Sequence, residues 1–144
     1  MKKIIAVVGC GHWGKNLVRN FSELGALNCI FDENTKVSND LSKKYNIEVK
    51  SFEEIINDPS ILGVVLAVPA YLHSPMSIKA MENGKHVYVE KPLALNIGDA
   101  KNMIETSQKK NVHLMVGHLL QYHPVFLKLK EIVLGNGVGQ LRYV

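Results

Sequence analysis

The sequence is poor in cysteine, in aromatic residues and in clustered charge, and these shortages exclude several classes of protein. Its two cysteines, Cys10 and Cys29, have the spacing of neither a zinc site nor a redox motif. We therefore expect no metal site and interpret both thiols as reduced and buried. The formal net charge is +4, but the lysines are scattered along the chain, which gives no support to a nucleic-acid or acidic-membrane partner.

Long hydrophobic runs are also missing. The longest apolar stretch, residues 61–70, is too short to cross a bilayer. The apolar segment at residues 4–8 is not followed by the small-residue cleavage site of a signal peptide. These features predict a cytoplasmic protein without membrane association.

The sequence does contain a regular alternation of apolar, strand-like runs with helical segments. Its 144 residues suffice for one domain with a substantial core, and the alternation predicts βαβ units. We predict an α/β fold, a Rossmann-type doubly wound parallel sheet of about six strands in the order 3-2-1-4-5-6. Strands are predicted at residues 4–8, 27–32, 47–49, 62–68, 86–89 and 112–116, and helices at residues 15–24, 37–45, 52–57, 74–83, 96–110 and 123–134.

A glycine-rich turn joins the first strand to the first helix and has the spacing of a dinucleotide-phosphate site. In that interpretation Gly9 makes the tight turn, Gly11 lets the pyrophosphate approach the backbone, and Gly14 lets helix and strand pack closely. The N-terminus of the helix would offer N–H groups and a positive dipole end to the anion. His12 and Trp13, in the same turn, are predicted to contact the cofactor.

Two alternatives to this interpretation exist. The turn could be a tight strand–helix connection without a ligand, because the bare glycine pattern also occurs by chance. It also satisfies most of an ATPase-type phosphate loop from Gly9 to Lys15, but the next residue should then be a magnesium-binding Ser or Thr. That residue is Asn16, and the ATPase pattern has no need of Gly11.

An acidic residue at the end of the second strand completes the dinucleotide pattern. Asp32 lies 18 residues beyond Gly14, close to the spacing of such a ribose-binding acid. A carboxylate there accepts hydrogen bonds from the ribose hydroxyls and repels a 2′-phosphate, which favours NAD over NADP. The alternative is a solvated acid in a turn.

The carboxyl ends of the later strands supply the remaining candidate residues, because ligands of such sheets bind there. Lys91 is the candidate catalytic residue, suited to proton transfer or to a hydrogen bond with substrate or nicotinamide; the alternative is a surface lysine paired with Glu90. Further cofactor contacts are expected from Pro69, His73 and Glu90. His118 and Tyr122 are candidates for the substrate side.

The whole chain resembles the N-terminal domain of the glucose–fructose oxidoreductase, inositol dehydrogenase and rhizopine-catabolism family (Gfo/Idh/MocA). The most specific feature is the Glu-Lys-Pro signature that follows the fifth strand and includes Lys91. Other matching segments are residues 9–14, Asp32, residues 69–73, 84–89, 116–118 and 139–144.

This resemblance implies hydride transfer between NAD(P) and a hydroxyl carbon of a sugar, cyclitol or nucleotide-linked sugar, with Lys91 touching nicotinamide or substrate. It also implies a second, substrate-binding domain. We therefore expect a dinucleotide-binding domain at residues 1–134 and a stub at residues 135–144 that leads to an absent C-terminal domain. A stand-alone or degenerate NAD-binding module without catalysis is the alternative, and homo-oligomerisation is left open.

Overall fold

Six parallel strands form one sheet in the computed structural model, which describes residues 2–135 and 137–140. Along the sheet the order is β3-β2-β1-β4-β5-β6, and every neighbouring pair is parallel. The predicted α/β class and strand order are confirmed. The strands are β1 Ile5–Val8, β2 Leu27–Phe31, β3 Glu48–Val49, β4 Gly63–Leu66, β5 His86–Val89 and β6 Leu114–Val116.

Among the described residues, five helices connect successive strands and a sixth follows β6, and several of them begin at capping residues that the sequence provides. Asn34 caps α2 through its side-chain oxygen, Ser51 and Glu54 form a complete capping box at α3, and Asn96 caps α5. The helices are α1 Gly14–Glu23, α2 Thr35–Tyr45, α3 Phe52–Asn57, α4 His73–Glu82, α5 Ile97–Lys110 and α6 Pro124–Leu134, with short 3₁₀ helices at Ala70–Leu72 and Leu119–Tyr122.

Among the described elements, β5 and α3 have the predicted bounds, and the others differ from the predictions by one or two residues at one or both ends. The fourth strand stops at Leu66 instead of residue 68, because the ladder ends where the Ala67 N–H donates to the Val8 carbonyl at 2.8 Å. The following 3₁₀ helix then runs directly into α4, which begins at His73 instead of Ser74.

Both faces of the central strands are buried, which explains why these strands are continuously apolar. Ala6, Val8 and Leu66 belong to one hydrophobic cluster, whereas Val7 and Val65 belong to another. Because successive side chains of a strand point to opposite faces, these clusters lie on the two sides of the sheet. The ends of the central strands, where the candidate site lies, are therefore anchored in two cores.

The last described helix contrasts with this core. No residue of α6 is buried, and Val125 and Leu134 are among its exposed apolar side chains. Within the described ranges, no helix has the length and apolar character needed to span a membrane. Residues 141–144 of the expected stub lie outside the described residues, and the domain boundary at residue 134 stays a prediction.

Candidate functional site

The loops that follow β1, β5 and β6 meet at one edge of the sheet and are tied to neighbouring strands. The Gly9 N–H donates to the Phe31 carbonyl at 2.8 Å, the Glu90 N–H to Leu66 at 2.9 Å, and the Gly117 N–H to Val89 at 2.9 Å. This edge is the carboxyl edge, where ligands of open α/β sheets bind.

The glycine turn has a conformation that larger residues would not permit. Gly9 has a φ of 86°, and a Cβ there would lie 2.5 Å from the Ala67 carbonyl oxygen; a Cβ on Gly14 would collide with the Gly9 carbonyl. A Cβ on Gly11 would meet nothing within 4 Å. The first and third glycines therefore let the turn close, as predicted, and Gly11 faces open space.

The N-terminus of α1 is a candidate anion site. Trp13 is its N-cap residue, no side chain caps the helix, and its first turn holds no acidic residue. Free N–H groups at a helix start attract anions, and the dipole adds to that attraction. A phosphate group that approached over Gly11 would meet this positive end.

Asp32 is tied to the glycine turn more closely than the sequence indicated. Its Oδ2 accepts the Cys10 N–H at 2.6 Å and its Oδ1 accepts the Asn34 N–H at 2.8 Å. The expectation was that this carboxylate accepts hydrogen bonds from the ribose hydroxyls, and each of its oxygens already accepts one backbone bond. A carboxylate oxygen can accept two hydrogen bonds, so capacity for ribose hydroxyls remains.

Cys10 and Cys29 are both buried free thiols, as predicted. Burial, with a smaller contribution from the Asp32 charge, raises the pKa of the Cys10 thiol to about 12. Burial likewise raises the pKa of Cys29 to about 12. Both therefore stay protonated and unreactive at neutral pH.

Two cavities open at the carboxyl edge and meet at Ala67 and Val68. The smaller pocket, of about 330 Å³, contains Gly9, Gly11 and Asp32 together with Pro69. The larger pocket, of about 830 Å³, is lined by five of the predicted residues, Trp13, His73, Glu90, Lys91 and His118. The glycine turn thus contributes to both pockets.

Three of the predicted residues line neither pocket, and the first is Gly14, which packs against the Gly9 carbonyl inside the turn. Tyr122 is 66% exposed and stands on the 3₁₀ helix Leu119–Tyr122, which contributes Leu119 to the larger pocket. His12 is exposed at the tip of the glycine turn. Their assignments to substrate and cofactor stay predictions.

Glu90 is the centre of a hydrogen-bond network in the larger pocket. It is only 9% exposed, and its Oε1 accepts the Trp13 indole N–H at 2.8 Å and the Tyr88 hydroxyl at 2.9 Å. The Lys91 N–H donates to its Oε2 at 3.3 Å. Burial first, and then this carboxylate, raises the pKa of Tyr88, so its hydroxyl keeps the proton that it donates.

His73 connects two loops across the larger pocket. It is 1% exposed, its Nδ1 lies 2.7 Å from the Pro92 carbonyl, and its Nε2 lies 2.9 Å from the Val68 carbonyl. Both ring nitrogens therefore face acceptors of the protein itself. The ring holds the segment after β4 against the segment after β5.

Lys91 has an exposed side chain beside the buried Glu90. Among the ion pairs of the described residues, none joins these two side chains. The alternative of a lysine that serves only to neutralise Glu90 therefore finds no support there. The lysine lines the larger pocket with its ammonium available.

Sequence reasoning missed Tyr88 as part of this site, and it placed Gly117 only within a matching segment at the end of the last strand. Tyr88 precedes Glu90 by two residues, so the alternation of a strand could have placed both side chains on one face. A Cβ on Gly117 would lie 2.5 Å from the Tyr88 hydroxyl and 3.0 Å from both Glu90 carboxylate oxygens. No local signal indicates that contact.

A family model described as "Oxidoreductase family, NAD-binding Rossmann fold" matches residues 3–118. A scyllo-inositol 2-dehydrogenase (NAD(+)) of Bacillus subtilis strain 168 is 32% identical over 145 residues, which cover 96% of this chain and 42% of that protein. A 2,7-anhydro-N-acetylneuraminate hydratase of Escherichia coli strain K12 is 29% identical over 138 residues, covering 94% and 37%.

A solved structure is similar to this chain over the same part of its length. The crystal structure of a probable dehydrogenase from Thermotoga maritima superposes with a TM-score of 0.87 at 31% identity, covering 94% of this chain and 42% of that one. The chain thus spans about two fifths of the length of the relatives it matches.

Proposed function

The chain belongs to the oxidoreductase family with an NAD-binding Rossmann fold, and we propose that it binds NAD for hydride transfer to or from a hydroxyl carbon. The substrate is a sugar, a cyclitol or a nucleotide-linked sugar. Relatives named as inositol dehydrogenases, at 31–32% identity, support the cyclitol and sugar class.

The observation that carries this proposal is the open face of Gly11 in the smaller of two adjoining pockets. A dinucleotide has two halves joined by a pyrophosphate, and the cavity has the same division. We assign the adenosine half to the smaller pocket, the pyrophosphate to the N-terminus of α1, and the nicotinamide half to the larger pocket.

Asp32 supports NAD over NADP as the cofactor. Its carboxylate lines the smaller pocket and is held in place by two backbone N–H groups. The remaining lone pairs suit ribose hydroxyls, whereas a 2′-phosphate would bring two like charges together.

The larger pocket supports the chemical part of the proposal. When bound there, the nicotinamide accepts or returns the hydride. Lys91 supplies a side-chain nitrogen that can take the proton of the reacting hydroxyl as the neutral amine in oxidation, and return it from the ammonium to the carbonyl oxygen in reduction; His118 lines the substrate side. Leu119 and Phe126 give this space an apolar wall.

Calorimetric titration of the 144-residue chain with NAD⁺ and NADP⁺ tests the cofactor. We expect NAD⁺ to bind more tightly, and Asp32→Ala to weaken NAD⁺ by about tenfold or more while NADP⁺ changes less, because a charge-assisted hydrogen bond contributes about 1.5–3 kcal/mol. Asp40→Ala, on the exposed side of α2, is the matched control. The proposal would be contradicted if the folded chain did not bind NAD⁺ at millimolar concentration.

A further inference from the structure

The buried carboxylate of Glu90 carries a charge that the described structure does not neutralise. Its three hydrogen-bond donors are an indole, a phenol and a backbone amide, all of them electrically neutral. None of the ion pairs among the described residues includes Glu90. The larger pocket therefore has a fixed negative charge at its wall.

Lys91 stands in the same pocket and would oppose this charge. Its side chain, however, is exposed, and water screens an exposed ammonium far more than it screens a group that is 9% exposed. Because burial strengthens the field of Glu90 relative to that of Lys91, the negative charge dominates inside the pocket.

We propose that Glu90 makes this site bind the oxidised cofactor more tightly than the reduced one. This inference rests on the proposed function, which assigns the nicotinamide half to the larger pocket. The nicotinamide ring of NAD⁺ carries a positive charge, whereas that of NADH is neutral. A buried carboxylate at the pocket wall attracts the charged ring of NAD⁺, whereas the ring of NADH offers it no positive charge.

The surrounding bonds make Glu90 suited to this role. The Trp13 and Tyr88 donors hold its Oε1 in one place, so that the charge need not reorganise when the ring enters. The preference also has a direction: in substrate oxidation the site retains NAD⁺ and releases NADH more readily.

Calorimetric titration of the full 144-residue chain with NAD⁺ and NADH measures the preference. We expect Glu90→Gln, which keeps the shape and removes the charge, to reduce the affinity ratio of NAD⁺ to NADH by about tenfold. Glu105→Gln removes a carboxylate from the exposed face of α5 and is expected to leave the ratio unchanged. Circular dichroism melting checks that each variant is folded.

A second variant separates charge from geometry. Trp13→Phe removes the indole N–H that Glu90 accepts but keeps the carboxylate, so we expect both affinities to change together and their ratio to stay within about twofold. Lys91→Met removes the opposing ammonium and is expected to raise the ratio, which tests the inference even if Glu90→Gln does not fold.

The outcomes of these titrations distinguish this inference from the proposed function on which it rests. If the folded wild-type chain binds neither form, the proposed function fails and the inference fails with it. If both forms bind and Glu90→Gln keeps the wild-type ratio, the function stands and the inference is overturned. A shift as large in Trp13→Phe as in Glu90→Gln would also overturn it, because geometry rather than charge would then set the preference.

Discussion

The two pockets at the carboxyl edge are built in different ways. On its glycine side the smaller pocket is shaped by backbone: glycines without side chains, and an Asp32 whose oxygens accept two main-chain N–H groups. The larger pocket is shaped by side chains from distant segments, with Glu90 and His73 each connecting two of them. Backbone construction suits an invariant ligand part such as a phosphate, whereas side chains can be exchanged to suit a substrate.

The largest expected effect comes from changing the backbone that both pockets share. Gly14→Ala places a methyl group against the Gly9 carbonyl, so the turn cannot close and Trp13 shifts with it. We expect NAD⁺ binding to be lost and the free energy of unfolding to fall by about 1–3 kcal/mol, as overpacking does. Calorimetry and chemical denaturation measure the two quantities.

Gly11→Ala is the matched variant for this comparison. Its methyl group meets no protein atom within 4 Å, so the fold should keep its stability while the methyl occupies the space assigned to the pyrophosphate. We expect weakened NAD⁺ binding without a loss of stability. Equal affinities for NAD⁺ in Gly11→Ala and wild type would contradict a backbone-built phosphate site.

The next effect separates binding from chemistry. In a protein that carries this domain together with the remaining length of its relatives, Lys91→Ala is expected to lower turnover by about 10²–10⁴-fold, the usual share of a proton-transferring group. NAD⁺ affinity should change far less, whereas Asp32→Ala should do the reverse. Steady-state kinetics and cofactor titration measure both, and unchanged turnover in Lys91→Ala would refute a catalytic role.

The smaller pocket could largely be predicted from the sequence. Gly9, Gly14 and Asp32 occur at fixed spacing around one strand–turn–helix unit, so local pattern alone specifies their arrangement. The strand order followed from the same alternation. Strand ends were less accurate, as at Leu66, because a ladder stops where neighbouring strands diverge, which one segment does not reveal.

The larger pocket could not be predicted to the same depth. Its residues were named as candidates, but the bond from Trp13 to Glu90 spans 77 positions, and nothing in either local sequence indicates the other. The same holds for His73, expected at the cofactor and found with both nitrogens at protein carbonyls. Such contacts depend on how the loops pack after the sheet has formed.

A smaller effect tests whether the His73 side chain maintains only the larger pocket or both pockets. His73→Leu keeps a buried side chain of similar size. It removes both ring nitrogens, which lie at hydrogen-bond distance from the Val68 and Pro92 carbonyl oxygens. We expect the free energy of unfolding to fall by about 1–3 kcal/mol, the cost of unpaired buried groups. NAD⁺ should bind more weakly, whereas AMP, which fills only the adenosine side, should keep its affinity within about twofold. Equal losses for AMP and NAD⁺ would show that the two pockets are not independent.

The smallest expected effect on NAD⁺ affinity concerns the thiol beside the smaller pocket. Burial raises the pKa of Cys10 from 9.0 to about 12, so the folded chain retains a proton that the unfolded chain releases above pH 9. Its contribution to stability is therefore complete below pH 9 and is lost as pH rises towards 12, with a slope of about 1.4 kcal/mol per pH unit. Cys10→Ala should flatten the decline of unfolding free energy in that window, and Cys29→Ala should flatten it equally, because burial is the main cause at both thiols.

NAD⁺ affinity at pH 7 should stay within about twofold in Cys10→Ala, since the bond to Asp32 comes from the backbone N–H and not from the sulfur. A large loss of affinity would mean that the glycine turn depends on the Cys10 side chain as well as on its backbone, and the contrast between the two pockets would have to be abandoned.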